Sequence, residues 1–191
     1  MREDEFTDEQ LVAKILKERN NDHFSILFLR YKEKIRAKCY SMTKSNSVSD
    51  DLLQDIMLKV MEKLNLFEGR SSFSTWLYAI TYNHCIEYLR QNKRIKYEDW
   101  AESIEIPEEI SEADIENVLE LKSERLQLLL EMLKPEDKAL ILLKYKEDFD
   151  LKKIMYILSF SGESATKMRL NRAKKRLVAF YNQFYSALED K

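Results

Sequence analysis

Phe67-Glu-Gly69-Arg-Ser-Ser72-Phe73-Ser-Thr-Trp76-Leu-Tyr78 opens a segment that continues through Tyr82, Asn83, Cys85, Ile86, Leu89 and Arg90 without a glycine or proline. The polar, glycine-containing first half reads as a loop. Ser72 or Ser74 can cap the helix that follows, to about Asn92. At about 100° per residue, Trp76, Ala79, Asn83, Glu87 and Arg90 share one side, while Tyr78, Tyr82, Cys85, Ile86 and Leu89 lie elsewhere. A loop that delivers an aromatic-rich helix with a polar stripe led by tryptophan sets the expectation for the whole chain. Only 2 Gly and 2 Pro occur in 191 residues, too few turn-formers for a multi-stranded fold and suited to long helices.

Working outward, Thr7-x-x-Gln10 has the form of a capping box ahead of Leu11, Val12, Ile15 and Leu16. Asn21 or Asp22 can cap a second helix with Phe24, Leu27, Phe28, Tyr31, Ile35 and Cys39 at helical spacing. Ser49 or Asp50 can cap a third, with Leu52, Leu53, Ile56, Met57, Val60, Met61 and Leu64 inward. These helices make one all-helical domain over residues 8–92. Residues 93–114 contain Pro107 and lack a sustained apolar period, which predicts a linker. Ile115 to Leu133, Pro135 to about Tyr145, Leu151 to Leu158 and Glu163 to Tyr185 then read as helices of a second small domain, residues 115–187, with Pro135 where a helix start tolerates it.

A chain of this length with 45% hydrophobic residues can bury a core in each domain. No apolar run approaches the roughly 18 residues of a membrane span, so a soluble, cytoplasmic protein without direct membrane insertion is expected. Cys39 and Cys85 sit in apolar helical patterns and not in a Cys-x-x-Cys pair, which favours buried free thiols. The two histidines, His23 and His84, have no evident set of partner ligands. No metal site, cofactor or catalytic constellation is expected, and an enzyme is not.

The formal charge of -2 conceals segregation. Between residues 98 and 121 stand ten carboxylates and no Lys or Arg; between 163 and 181 stand six Lys or Arg against Glu163 alone. In the last helix, Leu170, Ala173, Leu177, Phe180 and Tyr181 fall on one side and Ser164, Met168, Asn171, Arg172 and Lys175 on the other. An α-helix fits the major groove, where Arg, Lys and Asn read base edges and further cations such as Lys167 neutralise phosphate. The short preceding helix and the turn Ser159-Phe-Ser-Gly162 complete a helix-turn-helix pattern. A solvated basic face would have the same composition.

The aromatic segment carries its own chemistry. Unpaired bases are held by stacking on aromatic rings and by hydrogen bonds to their edges. Trp76, with Arg70, Ser71, Ser72 and Ser74 in the approaching loop, could form such a pocket; aromatics at helical spacing are also ordinary core, the reading favoured for Tyr78, Tyr82 and Tyr88.

On these motifs the chain resembles an extracytoplasmic-function (ECF) sigma factor of the bacterial sigma-70 family, from about Leu11 to Phe180. Asp50-Asp-Leu-Leu-Gln54-Asp55-Ile-Met-Leu-Lys59 is similar to the family's polymerase-binding helix. Residues 67–74 resemble the loop that captures a flipped base of the minus-10 element, 75–90 the helix that reads it, and 135–177 the domain that binds the minus-35 element. The resemblance implies two helical domains (regions 2 and 4) joined by an acidic linker, in a factor that directs core RNA polymerase to promoters. Asp51, Gln54, Asp55 and Lys59 would grip the β′ coiled coil. Arg70, Ser71, Ser72, Phe73, Ser74, Trp76, Asn83 and Arg90 would act at the minus-10 element, and Ser164, Lys167, Met168, Asn171, Arg172 and Lys175 at minus-35. Implied partners are core polymerase (β′ coiled coil and β flap), promoter DNA and an anti-sigma factor. Lys152, Lys153 and Met155 depart from the family pattern, which usually has two acidic residues and Ala there. A stand-alone helix-turn-helix regulator and an all-helical adaptor are the competing readings.

Overall fold

A computed structural model describes residues 6–18, 21–93 and 104–184. The element order is α1 (Asp8–Glu18), α2 (Asn21–Thr43), α3 (Asn46–Lys63), a short 3-10 turn (Leu64–Leu66), α4 (Phe73–Lys93), α5 (Glu112–Leu119), α6 (Ser123–Glu131), α7 (Pro135–Ile141), a π-turn (Leu142–Lys146), α8 (Leu151–Ile157) and α9 (Glu163–Phe184). No strand occurs among the described residues, as the scarcity of turn-formers predicts. The chain forms two compact units, Met1–Glu87 with Tyr156–Ser159, and Tyr88–Met155 with Phe160–Lys191. The expected linker lies partly on residues 94–103, and the expected ends of the last helix and second domain on 185–187, outside the described residues.

In the first unit the Thr7/Gln10 capping box forms: Thr7 N–H donates to Gln10 Oε1 at 2.9 Å and Gln10 N–H to Thr7 Oγ1 at 3.2 Å. Behind it Leu11 and Val12 are buried, whereas Leu16 is 44% exposed. Leu27, Tyr31, Ile35, Cys39 and Met42 of α2 meet Leu52, Leu53, Ile56 and Val60 of α3 and Leu77, Tyr82 and Cys85 of α4 in the core. Cys39 and Cys85 are free, buried thiols with sulfurs 3.7 Å apart.

Two expectations for α3 are corrected. Its cap is Ser45, which accepts the backbone N–H of Val48. Ser49 is instead buried inside the helix, donating to the Ser45 carbonyl at 2.6 Å, and Asp50 pairs with Arg36 at 2.6 Å. Met61 is 48% exposed, because the inward stripe narrows toward Leu64 as the helix ends.

In the second unit Ser111 builds a capping box with Asp114 at the start of α5. The helix expected from Ile115 to Leu133 is two helices, broken after Leu119. The break lets Ile115 and Val118 on α5 and Leu129 and Leu130 on α6 all turn inward. Pro135 occupies the first turn of α7. Asp150 Oδ1 accepts the Lys153 N–H at 2.7 Å and caps α8. Lys138 is fully buried and held by Glu131, an ion pair whose loss of one partner would leave a charge without compensation.

Candidate functional site

Three exposed surfaces carry the residues singled out by sequence. The first begins at the loop after the 3-10 turn. Gly69 has φ +70 with open space where a Cβ would stand, so the chain reverses where an L-residue would be strained. Ser72 Oγ lies 2.8 Å from Thr75 Oγ1 and accepts the Thr75 N–H at 3.3 Å, which caps α4. Glu9 of α1 also reaches this end, accepting the Phe73 N–H at 3.1 Å. Arg70 is exposed and paired with Glu68; Ser71 and Ser74 are half-buried.

Phe73, expected to act at the DNA, is 1% exposed. Its ring is held edge-on by Tyr31 and Phe67, each at 5.7 Å, and it backs Trp76 at 5.8 Å. Phe73 is therefore a core wall and has no free face for a base. Trp76 is half-buried with Phe67 at 5.5 Å, so these rings fix the indole orientation while part of it meets solvent. Asn83 and Arg90 are exposed further along α4; Tyr78 and Tyr82 are core and Tyr88 is half-buried. Below the aromatic cluster the Tyr31 hydroxyl donates to Asp8, which also holds Arg30 at 2.9 Å. Burial first, and then Asp8, push the Tyr31 phenol far above its ordinary range, so it is a permanent donor.

The second surface is the outward face of α3. Asp51, Gln54 and Asp55 are exposed and Lys59 half-exposed. Leu58 and Met61, 60% and 48% exposed, lie among them. The sequence reading assigned Leu58 no role and placed Met61 in the core. An exposed leucine within a carboxylate-bearing helix face would have been the available signal.

The third surface is α9. Ser164, Lys167, Met168, Asn171 and Arg172 are exposed, and Leu170, Ala173, Leu177 and Phe180 are buried, so the predicted two-sidedness is present. Ser164, Lys167, Met168 and Asn171 line a groove of about 550 Å³ with Glu112, Lys144 and Leu151. Arg169 lies over the Phe160 ring at 4.5 Å, which ties the turn to the helix. Lys175 is half-buried and donates to the Glu108 carbonyl. Lys174 is paired with Glu112 at 2.8 Å. Burial would lower its pKa, but the hydrogen bonds and charges of Glu112 and Tyr145 together outweigh this and the net shift is upward. Arg176 is paired with Asp137. The cations of α9 thus divide into solvent-facing Lys167 and Arg172, Arg169 over the Phe160 ring, and Lys174, Lys175 and Arg176, which are engaged by the chain's own carboxylates and a carbonyl.

Comparison with known proteins places a family model over the first two of these surfaces. Residues 27–95 match the family model of Sigma-70 region 2. The ECF RNA polymerase sigma factor SigX of Bacillus subtilis (strain 168) is 27% identical over 164 residues, covering 81% of each chain. SigW of the same organism, also an ECF RNA polymerase sigma factor, is 28% identical over 174 residues, covering 86% of this chain and 91% of its own. Among solved structures, the sigma factor RpoE from Bartonella quintana, in complex with the anti-sigma factor NepR, shares the fold at TM-score 0.57 and 21% identity, over 83% of this chain and 95% of that one. No described helix is long and apolar enough to cross a membrane. The chain thus carries a Sigma-70 region 2 match laid over the aromatic loop and the α3 face and, with relatives aligned across four-fifths of its length, is similar to the ECF sigma factors along most of that length.

Proposed function

We infer that the chain acts as an alternative sigma factor: it binds core RNA polymerase, directs it to promoters and helps open the duplex. It acts in the cytoplasm and catalyses no reaction itself. The observation that carries this reading is the region 2 match over 27–95 in a chain that also ends in a basic, solvent-facing helix behind a short helix and turn.

Within that reading the roles divide by surface. Asp51, Gln54, Asp55 and Lys59 dock on the β′ coiled coil, with Leu58 and Met61 adding apolar area. Trp76, presented by Phe67 and Phe73, stacks on an unpaired base, with Arg70, Ser71, Ser72 and Ser74 in the loop beside it and Asn83 and Arg90 meeting the strand further along α4; each stacked base contributes roughly 1–3 kcal/mol, enough to offset much of an extrusion that costs about a few kcal/mol. Ser164, Lys167, Met168, Asn171 and Arg172 face the minus-35 major groove, whereas Lys175, expected there from sequence, is held by the Glu108 carbonyl. The β flap and an anti-sigma factor are further partners, the latter by analogy with the RpoE complex.

The test is transcription by core polymerase, with and without the protein, on fragmented host genomic DNA with sequencing of 5′ ends. Discrete new starts sharing two upstream motifs support the reading. Folded protein that yields no new start and forms no complex with core polymerase overturns it.

A further inference from the structure

His84 of α4 belongs to none of the three surfaces, yet it touches one of them. Its side chain is 13% exposed. Lys59 Nζ lies 2.8 Å from Nδ1, and Asp55 Oδ2 lies 3.6 Å from Nε2. An ammonium can only donate, so Nδ1 accepts and the neutral ring carries its proton on Nε2, directed at Asp55. At 3.6 Å that contact is longer than a hydrogen bond, and Nε2 is otherwise without a partner. Packing alone would not call for an imidazole here, since an apolar ring would fill the space without an unsatisfied N–H.

Asp55 and Lys59 are four residues apart with the acid first, the arrangement in which helix side chains ordinarily pair with each other. Here Lys59 is held on the imidazole instead. Asp55, 60% exposed, keeps its carboxylate turned to solvent. We propose that His84 is a positioning residue for polymerase docking: by holding Lys59 on Nδ1 it keeps Asp55 and Lys59 from neutralising each other, so both charges are presented to the partner. The proposal rests on the assignment of Asp55 and Lys59 to the docking face.

The arrangement requires a neutral ring. Burial, and then the Lys59 charge, hold the His84 pKa below the ordinary imidazole value, against the opposing pull of Asp55 and of Glu87 on its own helix. Protonation would set two cations together and remove the acceptor, releasing Lys59.

The experiment is a titration of core polymerase with full-length protein and its variants at several pH values, beside a denaturation curve for each. Lys59→Ala and His84→Phe are each expected to weaken docking about five- to tenfold. His84→Asn, whose Oδ1 can stand where Nδ1 accepts, should return affinity to within about twofold of the parent. The double variant His84→Phe/Lys59→Ala should be no weaker than Lys59→Ala alone. The parent should lose affinity as pH falls below the ordinary imidazole range, and His84→Asn should lack that loss. If Lys59→Ala weakens docking and His84→Phe does not, the proposal falls while the docking face stands. If neither Lys59→Ala nor Asp55→Ala has an effect, the face assignment falls and takes the proposal with it. Equal weakening in His84→Phe and His84→Asn with matching stability loss would mark a structural role and overturn it. Should His84→Phe not fold, identical pH dependence in the parent and His84→Asn would do the same.

Discussion

Phe73 and Trp76 stand three positions apart, and burial separates their roles. Phe73→Ala removes a buried ring and should cost about 3–5 kcal/mol of stability, read from the urea midpoint. Trp76→Ala should leave polymerase affinity unchanged and slow promoter opening by about five- to a hundredfold, the loss of one stacked base, read by permanganate reactivity of unpaired thymines. An unchanged opening rate would remove Trp76 from the site. Among the cations of α9, Arg172→Ala should weaken promoter binding by about 1–3 kcal/mol and alter base preference. Lys174, drawn inward by Glu112, is not expected to behave as a phosphate contact: Lys174→Ala should lower stability by about 1 kcal/mol and leave the preference profile intact. His84 adds a pH dependence. Its folded pKa lies below the unfolded value, so its neutral form contributes stability above about pH 6.5 that is lost as pH falls from there toward the folded value. The lone imidazole had no legible role because its partners stand 25 and 29 positions away on another helix, whereas Trp76 could be singled out from its own segment.

Helix identity was legible wherever an apolar stripe ran for three turns or more, as in α2, α3, α4 and α9. Helix ends were legible where a single residue could serve. Thr7 with Gln10 left one choice, and the box forms. From Thr43 to Ser49 almost every residue is a potential cap, and spacing alone did not separate Ser45 from Ser49; the distinction is tertiary, since Ser49 Oγ is spent on the Ser45 carbonyl and lies 3.2 Å from Thr43 Oγ1. Ser45→Ala should therefore lower stability by about 1 kcal/mol as a lost cap, measured by chemical denaturation, while Asp50→Asn, at an exposed ion pair, should change it by less. An unaltered midpoint for Ser45→Ala would place the cap elsewhere. The division of residues 115–133 was illegible for a related reason: no glycine or proline marks it, and the break after Leu119 serves only the inward turn of Leu129 and Leu130.

At the scale of the whole chain the charge segregation was legible by counting, but its contacts were not. A formal charge of -2 gives the free protein no general attraction to DNA. Its basic helix must supply that attraction alone, and the acidic stretch meets it inside the second unit: Glu112 holds Lys174, and the Glu108 carbonyl holds Lys175. Glu105, Glu108 and Glu109 are exposed next to that contact, where their field opposes phosphate approach. Replacing these three by Gln spares Glu112 and the backbone carbonyl, so the packing of α5 on α9 is kept and only charge is removed. The free protein is then expected to bind a minus-35 duplex more tightly by about 1–2 kcal/mol, roughly tenfold at low salt, from three exposed charge terms of a few tenths to 1 kcal/mol each. The gain should shrink as the Debye length falls below about 8 Å. Fluorescence anisotropy of the duplex across a salt series reads both quantities. A gain that persists unchanged at high salt would mean that the substitutions altered the shape of the helix surface, and no gain at low salt would mean that the acidic stretch does not screen the recognition face.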